Sequence, residues 1–134
     1  MRAVLFAFLA LFCFSCGKRS AVSKKLSGCD SLVITFTAPN IDSAISIQTT
    51  TEKKAIRKLA GFLGGKQVSV SDCGFDGHMI FYKNGQQVMP VVFKFSEDTC
   101  RYFLFTPEQE AVTTRISNEG VDLLKSLKGG KNWY

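Results

Sequence analysis

Cys73, Asp76 and His78 fall within one short stretch, Asp72-Cys73-Gly74-Phe75-Asp76-Gly77-His78. A thiol, a carboxylate and an imidazole are the groups of a nucleophile, an orienting acid and a base, and such a set works only when the base lies within hydrogen-bond reach of the nucleophile in a shaped pocket. A few residues along a turn and a strand do not supply that geometry. His78 is the only histidine, which also removes a two-histidine metal site, and a packed or rim histidine is its expected role. The same stretch offers oxygen ligands. Asp72, Asp76 and Gly77 fit positions one, five and six of a calcium loop, but Gly74 brings no ligand side chain at position three and Lys83 stands at twelve, where a Glu would complete the shell. A polar turn between strands accounts for these residues. With no Gly-rich phosphate loop, serine nucleophile motif or tellingly spaced carboxylate pair, the chain is expected to carry no catalytic residue, metal or cofactor.

Cys73 has a second use. Cys73 and Cys100 bracket a hairpin, and in an oxidising compartment their pairing would close a loop of about 28 residues, stabilising the fold by roughly 3 to 4 kcal/mol in the chain-entropy model. Pairings with Cys29 are the alternatives, and Cys29 left over is a buried or tolerated thiol.

The compartment follows from the N-terminus. Arg2 precedes an apolar run from Ala3 to Phe14, too short to span a bilayer, which needs roughly twenty residues, and suited to the core of an export signal. Behind it, Ser15-Cys16-Gly17 resembles the lipobox of bacterial lipoprotein precursors, with a small residue before the cysteine that receives lipid. Cys13 stands where that family prefers Leu, and Phe14 where it prefers Ala or Ser. The resemblance implies a signal peptide over 1–15, lipidation (palmitate among the acyl chains) at Cys16, and attachment to a membrane of the cell envelope, since two or more chains at about 0.8 kcal/mol per buried methylene make anchoring stable. Cleavage after Gly17, releasing a soluble secreted or periplasmic protein, and an uncleaved anchor are the alternatives. Cys73-Gly-Phe-Asp-Gly77 with Cys100-Arg-x-Phe103 is also similar to small bacterial lipoproteins of no assigned activity.

Cleavage before Cys16 leaves 119 of the 134 residues, room for one domain, and lowers the net charge from +6 to +5. Residues 16–28, rich in Ser, Gly and Lys, read as a flexible basic tether whose Lys18, Arg19, Lys24 and Lys25 suit anionic head groups or simply solvent. The domain is expected over 29–134. Leu32, Ile34 and Phe36 alternate as a strand from Ser31 to Thr37, and Ile41, Ile45 and Ile47 mark a second to about Gln48. Thr49 and Glu52 have capping-box spacing, with Thr51 the rival cap. Ile56, Leu59, Ala60 and Leu63 give the following helix an apolar stripe ended by Gly64-Gly65, while Lys53, Lys54, Arg57 and Lys58 form its polar face. Val68 and Val70 suggest a strand towards Cys73, omitted in an alternative order.

Asn84-Gly85 is the strongest local signal, because a type I′ hairpin turn needs positive φ at both positions. Strands over His78–Lys83, Val88–Phe95 and Cys100–Thr106 follow, with a bulge or missing bond expected near Met89-Pro90 and strand character over Thr113–Ile116. Ser117 caps a last helix packed through Val121, Leu124 and Leu127 and closed by Gly129. The order ββα-ββββ-α implies an α+β fold, a single small domain with an antiparallel sheet of about five or six strands and two helices on it.

Symmetric pairing about the Asn84-Gly85 turn would set Ile80 opposite Met89, and a four-residue turn at Ser96–Thr99 would set Phe93 opposite Tyr102. His78, Ile80, Tyr82, Met89, Val91, Phe93, Phe95, Cys100, Tyr102 and Leu104 would then form the core face. The other face would carry Phe81, Lys83, Lys94, Arg101, Phe103 and Phe105 as a candidate binding surface for a protein or envelope glycan. The expected function is that of a lipid-anchored, non-enzymatic envelope protein binding through this surface. An inhibitor of a secreted hydrolase, using Gly74–Gly77 as a rigid exposed loop, and a small thiol enzyme using Cys73 and His78 are the alternatives. Export excludes nucleic acid as a natural partner despite a pI near 9.2.

Overall fold

The computed structural model describes residues 17–39, 41 and 43–133. The leader, the lipobox cysteine Cys16 and the turn residue Asn40 lie outside them. Six antiparallel strands form one sheet, β1 (Ser31–Thr37), β2 (Ala44–Thr50), β3 (Gly77–Lys83), β4 (Gln86–Lys94), β5 (Tyr102–Phe105) and β6 (Val112–Arg115), in the order β2-β1-β3-β4-β5-β6. Three helices complete a small α+β domain: α1 (Gly17–Leu26), α2 (Lys53–Phe62) and α3 (Asn118–Lys128). After α1 the order is ββα-ββββ-α, but its run of four strands contains β6 in place of the strand expected before Cys73.

Local chemistry accounts for the elements that formed as expected. Asn84 and Gly85 adopt φ of 52° and 76°, and Lys83 pairs with Gln86 across them. Ser117 caps α3 by accepting the Gly120 amide at 3.2 Å on its Oγ, and Gly129 occupies the other end. Val121, Leu123, Leu124 and Leu127 bury the inner face of that helix. In α2, Ala55, Ile56 and Leu59 are buried, but the capping box does not form, because Thr49 remains in β2. Thr50 Oγ1 instead accepts the Glu52 amide at 3.1 Å.

Residues 17–28 are not a flexible tether, since helix runs from Gly17 to Leu26. Val22 and Leu26, one turn apart, are each only 6% exposed and join the core. Two large apolar residues among ten give almost no periodic signal, and docking against α2 and β4 supplies the stability that an isolated helix of this length lacks.

The segment after α2 does not form a strand to Cys73. Gln67 makes one bridge to Thr114, with the Arg115 amide donating to the Lys66 carbonyl at 2.8 Å and the Val68 amide to the Thr113 carbonyl at 3.1 Å. The chain then leaves the β6 edge and crosses to β3 in the middle of the sheet. It enters at Gly77, where an added Cβ would lie 2.2 Å from the Thr35 carbonyl oxygen and 2.7 Å from the Phe93 ring. Only glycine lets the backbones approach this closely.

All three helices cover one face of the sheet. Leu32, Ile34, Phe36, Met79, Phe81, Met89, Val91, Phe93, Phe103 and Phe105 meet the helices there. Phe36, Phe93 and Phe95 form the aromatic centre, with ring centroids 5.6 to 6.2 Å apart.

Candidate functional site

The two faces differ from the sequence expectation because two strand pairings are each offset by one residue. The β3–β4 register shifts so that Tyr82 opposes Gln87 but Phe81 opposes Met89, leaving Val88 as a bulge just before Met89-Pro90. A one-residue slip exchanges the two faces of a strand relative to its neighbour. Beyond the bulge Ile80 faces Pro90, so β3 turns its odd residues to the core. A longer β4–β5 connection likewise sets Phe93 opposite Phe103 and Lys94 opposite Tyr102.

The candidate binding surface of Phe81, Lys83, Lys94, Arg101, Phe103 and Phe105 therefore does not exist as a surface. Phe81 and Phe103 are 0% exposed and Phe105 is 3%. Lys94 is buried on the opposite side of the sheet. Arg101 lies outside the strands, where it pairs with Asp98 at 2.6 Å and reaches Asn118 at 3.5 Å. Lys83 is exposed beside the β3–β4 turn, its ammonium lying over Gly28.

The Asp72–His78 stretch is structural. Cys73 is bonded to Cys100, with Cα atoms 5.7 Å apart, so the thiol that a nucleophile requires is spent. Asp76 Oδ2 accepts the amides of Phe95 and Ser96, each at 2.8 Å. Its Oδ1 accepts from Lys94 Nζ at 3.3 Å and Ser96 Oγ at 3.1 Å. Burial pushes this carboxyl up, but the two amides, the Ser96 hydroxyl and the Lys94 charge outweigh it and hold it below its ordinary value. These bonds to Phe95, Ser96 and Lys94 occupy both carboxylate oxygens. Lys94 also meets Glu97 at 3.3 Å.

The Tyr102 hydroxyl donates to the Gly74 carbonyl, and burial raises its pKa, with Asp76 adding to the rise against the opposing pull of Lys94. Disulfide, carboxylate and phenol thus fasten the crossing segment over one end of the sheet, burying Lys94 and Tyr102 beneath it. Gly74–Gly77 is no projecting loop: Asp76 is 4% exposed and Gly77 is buried. A plug for a hydrolase cleft cannot be built from it. Cys29 is buried, and desolvation, with Asp30 adding to it and Lys83 opposing, raises its thiol pKa, which makes it a poor nucleophile.

What remains open is the rest of the helix-free face. Val33, Ile80, Val92 and Leu104 line it beside Thr35, His78 and Tyr82, half-buried or exposed. Among the described strand residues on this side, the charged ones are Lys94, paired and buried, and Arg115 at the β6 edge. The surface ends at β2, whose Ile47 opposes Thr35 and is 59% exposed, while Ile45 in the β1–β2 bulge is 57% exposed. Ile41, just ahead of the strand, is 60% exposed.

Among the described residues β2 is also a free edge. The opposite edge, β6, is partly covered by Lys66–Val68, whereas among the described strands β2 pairs with β1 alone. Its seven residues, Ala-Ile-Ser-Ile-Gln-Thr-Thr, contain no charge and no proline, the devices that usually blunt an exposed edge. Compared with family models, curated proteins and solved structures, the chain finds no match. The site therefore rests on its own geometry. Sequence reading missed it because Ile45 and Ile47 carry the same alternation as a core strand. The signal that could have exposed part of it was Pro90, whose expected bulge, placed one residue earlier and carried through the β3–β4 pairing, turns Ile80 outward; Leu104 turns outward through the longer β4–β5 connection.

Proposed function

We propose that this chain is an exported, lipid-anchored, non-enzymatic protein of the bacterial cell envelope that binds a partner protein along β2 and the adjoining, largely apolar sheet face. The anchoring part is supported by the Arg2 to Phe14 leader and by Ser15-Cys16. The observation that carries the binding part is the β2 edge itself, an uncharged strand that pairs on one side only among the described strands and carries two exposed isoleucines. The matching ligand is an extended protein segment that adds a seventh strand, its backbone pairing with β2 and its alternate apolar side chains meeting Ile47 and the residues beyond. A glycan suits this surface less well, because the aromatic and cationic groups that would stack on and bond sugars are buried or dispersed.

Replacing Ile47 with a photo-crosslinking phenylalanine analogue tests the reading in intact cells. Irradiation is expected to give one adduct of discrete mass at position 47, none from the same analogue at the exposed Asp122 of α3, and none at position 47 when Ile45→Lys adds a charge to the edge. No adduct at position 47, or equal adducts at 47 and 122, contradicts the proposal. An adduct of twice the chain's mass would replace the distinct partner with a second copy of the chain.

A further inference from the structure

The charge that the open face lacks is concentrated on the other side of the molecule. Helices α1 and α2 contain eight of the chain's seventeen Lys and Arg residues and no Asp or Glu. They pack against each other and against the sheet through Val22, Leu26, Ile56 and Leu59. Lys24, Lys25, Lys53, Arg57 and Lys58 are all exposed. α3 differs, since Glu119 and Asp122 balance its Lys125 and Lys128. The domain is therefore two-sided, with a basic layer on α1 and α2 and, directed the opposite way, a sheet face whose exposed strand charge among the described residues is Arg115 at the β6 edge.

Position adds a second argument. Gly17, the first residue of α1, follows Cys16 directly, so a lipid on Cys16 enters the folded domain with no linker between them. A flexible tether would let the domain tumble at a distance from the bilayer. A helix whose far end is buried in the core holds it at the surface, with α1 and its neighbour α2 nearest the head groups.

We infer that the outer side of α1 and α2 rests on the anionic head groups of the membrane that holds Cys16, turning β2 and the open sheet face away from it. The inference rests on the lipid anchor proposed above and adds to it an orientation and a lipid charge preference. Clusters of four to eight cations beside a membrane attachment point bind acidic lipid surfaces in this way, and salt weakens them. The geometry also serves the binding proposal, because a strand edge facing the bilayer would be closed to a partner.

The test uses the full mature, acylated protein reconstituted in vesicles of phosphatidylcholine alone or with about one-third phosphatidylglycerol, a content chosen to give an anionic surface. Lysine acetylation by a membrane-impermeant reagent is then read residue by residue by mass spectrometry. Labelling of Lys24, Lys25, Lys53 and Lys58 is expected to slow about five-fold or more on the anionic vesicles. Exposed Lys66, beside β6, should change less than about two-fold, and high salt should remove the difference, as screening requires. Equal labelling of the helix lysines on both vesicles, with the protein floating alongside them, overturns the orientation while leaving the anchor intact. Failure to float with either vesicle overturns the anchor, and the orientation with it.

Discussion

Asp76→Ala is expected to lower the stability of the folded domain by about 3 to 5 kcal/mol, the usual result of leaving a buried charge without its partner. The substitution removes the acceptor of the Phe95 and Ser96 amides and strands Lys94, 2% exposed, with Glu97 its one remaining ion-pair partner among the described residues. Against a typical total of 5 to 15 kcal/mol, this is a large share. Asp76→Ala combined with Lys94→Met should recover much of the loss, because it removes the orphaned charge as well. The effect depends on pH in a defined direction. The folded carboxyl titrates below its unfolded value of about 3.9, so its contribution is complete above that value and fades as pH falls through the folded pKa. Urea unfolding of wild type and variant should therefore differ most above pH 5 and converge in strong acid. A loss under 1 kcal/mol, or a gap that is unchanged down to the lowest pH, would contradict the role assigned to Asp76.

Loss of the Cys73–Cys100 bond is expected to cost about 3 to 4 kcal/mol by the loop-entropy estimate. The double substitution Cys73→Ser and Cys100→Ser should match wild type treated with reductant. The penalty should also overlap with that of Asp76→Ala, since the disulfide and the carboxylate fasten the same crossing segment, and changes acting on one network do not add. Denaturant midpoints of the two singly altered proteins and the combined one would measure the overlap. An unchanged midpoint on reduction, or strict additivity, would show that the two fastenings act separately or not at all.

The features legible in the sequence are those decided within a few residues. Asn84-Gly85 carries its own turn chemistry, Ser117 and Gly129 frame α3, and Leu32-Ile34-Phe36 alternates cleanly enough to define β1. The disulfide was legible because its cysteines bracket the hairpin. Less legible was anything set by register or by sheet order. A single extra residue, Val88, exchanged the faces of β3 relative to β4 and moved Phe81 from a proposed surface into the core. Helix α1 was hidden because Val22 and Leu26 gain their weight from α2 and β4, elements distant in sequence. Ile47 reads as an ordinary strand residue, and only the position of β2 at the end of the sheet leaves it uncovered.

The orientation of the domain, and the tethered placing of the binding edge, rest on one premise, acylation at Cys16. Metabolic labelling with palmitate tests it most directly. The account predicts labelled wild-type protein in the membrane fraction and loss of label in Cys16→Ala. An unlabelled wild type, or undiminished label in that variant, would contradict it.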